Sequence, residues 1–147
     1  TQKPSSAASD VYKRQLMDIN ILKIASDTKN NKHINNCTHS MKYKSQICGD
    51  EIEIFLIIKD NVIKDFSYQS QSCIYCNASA NLATKNFKKK SKDKIKNFLK
   101  LLDKFNDKEN ISFPSEWKEF KKIFDKKNYA RKECLTLPIK ALKKVIQ

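Results

Sequence analysis

Cysteine is the residue type that offers the most chemistry in this chain. Five cysteines occur among 147 residues, and the one glycine, Gly49, directly follows Cys48. The odd number of cysteines and the lack of a secretory signal argue against a closed disulfide framework. We therefore expect reduced thiols that bind a metal or carry sulfur.

Two of the cysteines and one aspartate flank a predicted β-hairpin. Cys48-Gly49-Asp50 precedes a strand predicted over residues 51–58, and Cys73 follows a strand predicted over residues 62–69. A short polar turn joins the two strands as an antiparallel pair. The start of the first strand and the end of the second then lie at the same end of the hairpin. We therefore expect Cys48, Asp50 and Cys73 to be neighbours.

Cys134 supplies a fourth donor from the last predicted helix, residues 129–145, which we expect to be interrupted or restarted near Pro138. Packing of this helix against the hairpin end would give three thiolates and one carboxylate. Such a set suits a tetrahedral zinc ion or the four terminal positions of a [2Fe–2S] cluster. Because a carboxylate is the harder ligand, a cluster held in this way should be released more easily than one held by four thiolates.

The remaining cysteines and histidines give weaker signals. Cys73 and Cys76 form a CxxC motif, but no second CxxC completes a zinc ribbon, and a hairpin precedes the motif where a thioredoxin-like site needs a βαβ unit. Cys76 is either a small structural residue of a helix or an auxiliary thiol. We interpret Cys37 as incidental, and His33 and His39 as surface residues.

The other apolar patterns predict an α+β fold, with a small antiparallel sheet of two or three strands covered by helices on one face. A helix is expected from residue 16 to residue 25, and a third strand over residues 41–45. Further helices are expected after Ser72 and Ser91, each acting as an N-cap, and around residues 117–124.

Composition predicts how the chain is organised. Residues 1–15 differ in composition from the rest, so we expect a disordered leader of non-native appearance, followed by one domain over residues 16–147. The longest uninterrupted apolar run is Ile54–Ile58, far below the roughly 20 residues of a spanning helix. We therefore expect a cytoplasmic protein without a membrane partner.

Charge is distributed unevenly along the chain. The net charge is +14, yet residues 48–87 carry three basic and five acidic side chains, whereas residues 88–147 carry 19 and eight. The excess lysines are scattered over predicted helix faces, away from most of the cysteines. We interpret them as solvated surface, and we do not expect a nucleic acid partner.

The chain resembles a known family, the NifU N-terminal, IscU and SufU-like iron–sulfur cluster assembly scaffolds. The resemblance runs from about Lys23 to Leu142. It rests on three motifs in order: Cys48-Gly49-Asp50 before a hairpin, Ser72-Cys73 leading into Asn77-Ala78-Ser79-Ala80-Asn81, and Ala130-Arg131-Lys132-Glu133-Cys134-Leu135-Thr136-Leu137. It implies an IscU/SufU-like fold, and it implies that the metal or cluster ligands are Cys48, Asp50, Cys73 and Cys134.

The resemblance implies two functions, neither of which makes the chain a conventional enzyme. The first is a scaffold that binds iron and sulfide, with a cysteine desulfurase as sulfur donor, and passes the cluster to apo acceptor proteins. The alternative is a zinc-bound SufU-type sulfurtransferase that accepts persulfide sulfur from the desulfurase. In that case we expect Cys134 to be the acceptor, with Arg131 on the same helix face supporting its thiolate.

The departures from the family pattern bear on this choice. Glu133 stands where IscU carries histidine, and a SufU-type insertion is expected at about residues 104–118. Glu133 argues against an IscU-type ligand swap at this position, whereas the insertion and Arg131 favour the zinc-bound alternative. The segment 70–72 reads Ser-Gln-Ser, where family members usually have glycine.

Overall fold

The computed structural model describes residues 19–147, so the predicted leader and the first residues of the predicted first helix lie outside the described residues. Residues 19–25 are helical (α1). Eight further elements follow in chain order: β1 (His39–Lys44), β2 (Glu51–Lys59), β3 (Val62–Gln71), α2 (Ile74–Phe87), α3 (Lys92–Asn106), two 3₁₀ helices (Ser115–Lys122 and Lys126–Arg131) and α4 (Lys132–Ile146).

The three strands form one antiparallel sheet in the order β1-β2-β3, so the predicted hairpin and the predicted third strand are confirmed. The turn between β2 and β3 consists of Asp60 and Asn61, whose φ angles are 54° and 64°. Two successive residues with positive φ are typical of the type I′ turn, and its twist matches that of the paired strands. The sheet carries helices on one face, and the α+β prediction is confirmed.

The sequence of residues 62–69 predicts strict alternation of side chains between the two faces of the sheet, and this prediction is wrong at the beginning of β3. Ile57 pairs with Asp65 and Ile58 pairs with Ile63, so Lys64 is an extra residue in β3. Such a bulge reverses the side-chain phase beyond it. Ile63 therefore joins the buried face and is fully buried, whereas strict alternation would have placed it opposite Phe66.

Helices α2 and α4 pack against the sheet and against each other. Three alanines on α2, at positions 78, 80 and 83, are buried, and their small side chains let the two helices approach closely. The apolar face of the sheet that these helices cover includes Ile52, Ile54, Leu56, Phe66 and Tyr68.

An aromatic cluster joins α2 to α3 and the first 3₁₀ helix. Its four members, Phe87, Phe98, Trp117 and Phe120, are all buried, and their ring centroids lie 4.7–6.3 Å apart. The Ser91 hydroxyl accepts a hydrogen bond from the Lys94 N–H, which confirms the predicted N-cap of α3. No helix within residues 19–147 has the length and apolarity needed to cross a bilayer.

The predicted break near Pro138 is wrong, because α4 runs through this residue without interruption. Proline has no N–H, so the carbonyl of Cys134 receives no intrahelical hydrogen bond from position 138. Burial of Leu135, Leu137, Ile139 and Leu142 compensates for this loss by packing the helix into the core. The proline thus removes one hydrogen bond from the first turn of α4 and leaves the helix continuous.

Candidate metal centre

The loop between β1 and β2 holds Cys48 at the surface. The Ser45 hydroxyl accepts hydrogen bonds from the N–H groups of Ile47 and Cys48, both at 3.1 Å. The Ser45 N–H donates to the Asp50 carbonyl at 2.8 Å and closes the loop. Gly49 lies at φ 76°, the left-handed region that glycine adopts without steric cost. Cys48 is exposed, so its thiol is open to an incoming partner.

Asp50 connects this loop to the beginning of α2. The Cys73 N–H donates to Asp50 Oδ2 at 3.3 Å, and a carboxylate at a helix N-terminus is favoured by the helix dipole. The N-cap of α2 is Cys73, so the predicted capping by Ser72 is wrong. The Ser72 hydroxyl donates instead to Ser70 Oγ at 3.1 Å and to Asn77 Oδ1 at 3.2 Å. Within the described chain the Cys73 side chain makes no capping bond, and Asp50 satisfies the N–H of this N-cap residue, a donor that the N3 side chain satisfies in a capping box.

Cys134 reaches the same corner from α4, where it is the third residue and only 5% exposed. The packing of α2 against α4 brings it there. The Ser79 hydroxyl donates to the Leu135 carbonyl at 2.6 Å, a buried hydrogen bond that fixes the first turn of α4 against α2. Cys134 therefore occupies the inner side of the site, and Cys48 the outer side.

The ligand atoms of Cys48, Asp50 and Cys134 all lie within 4.8 Å of one another. Among residues 19–147, Cys73 lies outside this group of three, but its thiol hydrogen-bonds with that of Cys134. Burial raises the pKa of the Cys134 thiol well above its ordinary value, and the hydrogen bond with Cys73 raises it further. Electrostatic interactions with Cys73, Cys48 and Asp50 act in the same direction, so a bound cation would favour the Cys134 thiolate.

Cys76 adds a thiol to this corner. It lies on α2 and is fully buried, and burial raises its pKa to about 12. Its thiol hydrogen-bonds with Ser72 and interacts electrostatically with Asp50, Cys73 and Cys48. In the sequence only the CxxC spacing marks Cys76, and this spacing does not define the role of the thiol.

The other candidates lie elsewhere. Cys37 precedes β1, whose far end leads into the Cys48 loop, so the length of the strand separates the two cysteines. His33 and His39 are both exposed, as predicted; the ring of His33 lies against Phe55. Arg131 is exposed, with its guanidinium carbon 5.2 Å from the ring centroid of Tyr75. Its support of a thiolate stays a prediction.

A three-stranded antiparallel sheet with helices on one face and a cysteine–aspartate group at one sheet end defines a small α+β domain with a candidate metal centre. The chain matches the NifU-like N terminal domain over residues 17–108 and belongs to that family. The resemblance found in the sequence is thereby confirmed.

The chain is also similar to one individual protein in sequence and to solved structures in fold. The chain is 29% identical over 128 residues to the iron-sulfur cluster assembly scaffold protein IscU of Thermotoga maritima, which covers 86% of this chain and 89% of that protein. The fold is similar to the crystal structure of a putative iron-sulfur cluster assembly scaffold protein for the SUF system from Fervidobacterium islandicum, with a TM-score of 0.78, 21% identity, and coverage of 86% of this chain and 93% of that one. It is also similar to a nitrogen-fixing NifU-like protein (N-terminal) from Brucella abortus, with a TM-score of 0.76, 17% identity, and coverage of 86% and 88%.

Proposed function

We propose that the protein is an iron–sulfur cluster assembly scaffold. The iron and sulfide would be held by Cys48, Asp50, Cys73 and Cys134 until the cluster passes to an acceptor protein. Membership of the NifU-like family and the similarity to a protein named as a scaffold support this function. The observation that carries it is the convergence of the Cys48, Asp50 and Cys134 ligand atoms within 4.8 Å, although the three residues come from a loop and a distant helix.

The arrangement of the four donors suits a cargo that must enter and leave. Cys48 is exposed and lies on a loop, so it is the first thiol that a donor or acceptor protein meets. Asp50 is a hard oxygen ligand among soft sulfurs, which weakens the binding of zinc or iron relative to four thiolates. Cys134 is buried and anchors the inner side of the cluster.

Anaerobic reconstitution tests this function directly. The full chain is incubated with ferrous iron, cysteine, a cysteine desulfurase and a thiol reductant that converts persulfide sulfur to sulfide, and the visible absorption and the iron and sulfide contents are measured. We expect a cluster that an apo iron–sulfur acceptor takes up completely. Cys48→Ser should reduce the cluster yield strongly, whereas the matched control Cys37→Ser should not. Equal yields from these two variants would contradict the ligand assignment.

The zinc-bound sulfurtransferase remains the second candidate, because the exposed Cys48 and the buried Cys134 are two thiols that can be distinguished as persulfide acceptors. This function predicts stoichiometric zinc in freshly purified protein and strong stimulation of a cysteine desulfurase. Peptide mass spectrometry after incubation with cysteine and desulfurase locates the added sulfur atom. Sulfur on Cys134 would support the acceptor expected from the sequence, and sulfur on Cys48 alone would exclude it.

A further inference from the structure

The thiol of Cys76 has no role in the four-donor centre, yet it belongs to the same corner. Cys76 is fully buried, one turn after Cys73 on α2. Side chains three residues apart lie on one face of a helix, with Cβ atoms about 5–6 Å apart. Each Cα–Cβ bond also tilts toward the helix N-terminus, so the Cys76 side chain leans toward Cys73.

The CxxC spacing is itself a chelating arrangement. Zinc–sulfur bonds are about 2.3 Å long, and pairs of cysteines separated by two residues commonly bind one metal ion together. Cys73 is the N-cap of α2, with φ −75° and ψ 171°, so it is not constrained by the helix. A small adjustment at this residue brings both sulfurs within reach of one ion.

Asp50 is the donor that can be replaced most easily. The hydrogen bond to its carboxylate from Cys73 is 3.3 Å long, beyond the usual range for N–H to oxygen. Thiolate is the softer ligand and suits zinc and iron–sulfur clusters better than carboxylate does. Replacing Asp50 by Cys76 would cost the hydrogen bond between Cys76 and Ser72.

The geometry points to Cys76 as a reserve ligand that exchanges with Asp50 and converts a shell of three thiolates and one carboxylate into a shell of four thiolates. This inference rests on the proposed function. In the exchange, a metal–sulfur bond forms as the metal–oxygen bond breaks, and the thiol proton passes to solvent. No electron is transferred. The first shell favours release of the cargo, and the second favours its retention.

Cobalt(II) substitution under anaerobic, reducing conditions tests the exchange. The charge-transfer absorption per cobalt reports the number of thiolate ligands, and its titration gives the affinity. The variants are Asp50→Ala, Cys76→Ala, the double variant Asp50→Ala/Cys76→Ala, and Cys37→Ala as a control for the removal of an unrelated thiol. Thermal unfolding of each metal-free variant verifies that it folds.

We expect Asp50→Ala to bind cobalt through four thiolates. Relative to it, the double variant should lose about a quarter of the charge-transfer absorption, the share of one thiolate in four. Its cobalt affinity should be at least about tenfold lower. Removal of Cys76 from the wild-type background should have a smaller effect, because Asp50 then completes the shell.

Identical absorption and affinity in Asp50→Ala and the double variant would overturn the reserve-ligand role while leaving the proposed function intact. An absence of thiolate absorption in the wild-type protein would overturn the proposed function itself. If the double variant fails to fold, X-ray absorption of the single variant Asp50→Ala decides the question. Four sulfur neighbours per cobalt support the exchange, and three contradict it.

Discussion

The aromatic cluster and the metal centre are stabilised in different ways. The cluster consists of Phe87, Phe98, Trp117 and Phe120, which are buried against one another on three elements. The centre is built from a loop and the beginnings of two helices, and hydrogen bonds hold it together, including two to Ser45 Oγ. Apolar packing therefore fixes the framework, whereas the donors lie where side chains can rearrange at low cost.

This difference suits a centre that exchanges its contents. Donors embedded in the aromatic cluster would be rigid and inaccessible, because protein interiors are close-packed. Donors on loops alone would lack fixed positions. In this protein α2 is shared by both regions: Phe87, at its last residue, belongs to the cluster, and Cys73 caps its beginning. Substitutions in the aromatic cluster should therefore change the free energy of unfolding, whereas substitutions in the metal centre should change the metal affinity.

The largest effect is expected from Phe120→Ala. Phe120 is fully buried and contacts the other three rings of the cluster, so its truncation should lower the free energy of unfolding by about 3–5 kcal/mol. Urea denaturation of the reduced, metal-free protein measures this loss. The fraction that remains folded should bind zinc with unchanged stoichiometry. A folded variant that no longer binds zinc would show that the two regions are not separable.

In contrast to Phe120→Ala, Cys73→Ser should lower the zinc affinity without lowering the stability of the metal-free protein. Serine is a favoured N-cap and the Cys73 side chain forms no capping bond in the described chain, so the metal-free protein should be as stable as wild type or up to about 1 kcal/mol more stable. Zinc affinity should fall about 100-fold, roughly 2.7 kcal/mol. Competition with a chromophoric chelator measures the affinity, and Cys37→Ser serves as the control. Unchanged zinc affinity would remove Cys73 from the centre.

The sequence was sufficient to predict the α+β framework and the proximity of three of the four donors. Hairpin topology alone places Cys48, Asp50 and Cys73 at one sheet end, because antiparallel strands return to their starting point. The position of Cys134 depends on the packing of α4 against α2, which no local pattern encodes. Its burial and its contact with Cys73 were therefore not predictable.

The errors in the sequence-based predictions have the same origin. Pro138 breaks an isolated helix, but the buried side chains around it keep α4 continuous. The extra residue Lys64 has no local signature, yet it changes the side-chain phase of Ile63. Ser72 has the right chemistry for an N-cap, but its hydroxyl forms hydrogen bonds with Ser70 and Asn77 instead of capping α2. Tertiary contacts overrode local preference in each case.

Cys76 should make the stability of the metal-free protein depend on alkaline pH. Folding raises the pKa of its thiol from 9.0 to about 12, so the folded state retains the proton between these values while the unfolded state loses it. The stabilisation is therefore complete below pH 9 and falls by about 1.4 kcal/mol per pH unit above it. Urea denaturation at pH 8, 9 and 10 measures the fall.

Cys76→Ala is the matched variant for this measurement. It should show a shallower decline with pH, and the remainder comes from Cys134 and, near pH 10, from Tyr68, because burial raises the pKa of both groups. A decline equal to that of the wild-type protein would mean that Cys76 does not titrate differently in the folded and unfolded states.

The smallest effect is expected from substitution of Gly49. It distinguishes the contribution of the left-handed turn from that of the hydrogen bonds that close the loop. A Cβ at this position would meet no heavy atom within 4 Å among the described residues, so Gly49→Ala should cost only the backbone strain at φ 76°, about 1–2 kcal/mol. Gly49→Asn should cost less, since asparagine tolerates the left-handed region. Both variants should bind zinc within about threefold of wild type, because Ser45 still closes the loop. If Gly49→Ala keeps its full stability but loses zinc affinity, the loop has relaxed to negative φ and moved Cys48 away from Asp50, so the left-handed turn itself positions these donors.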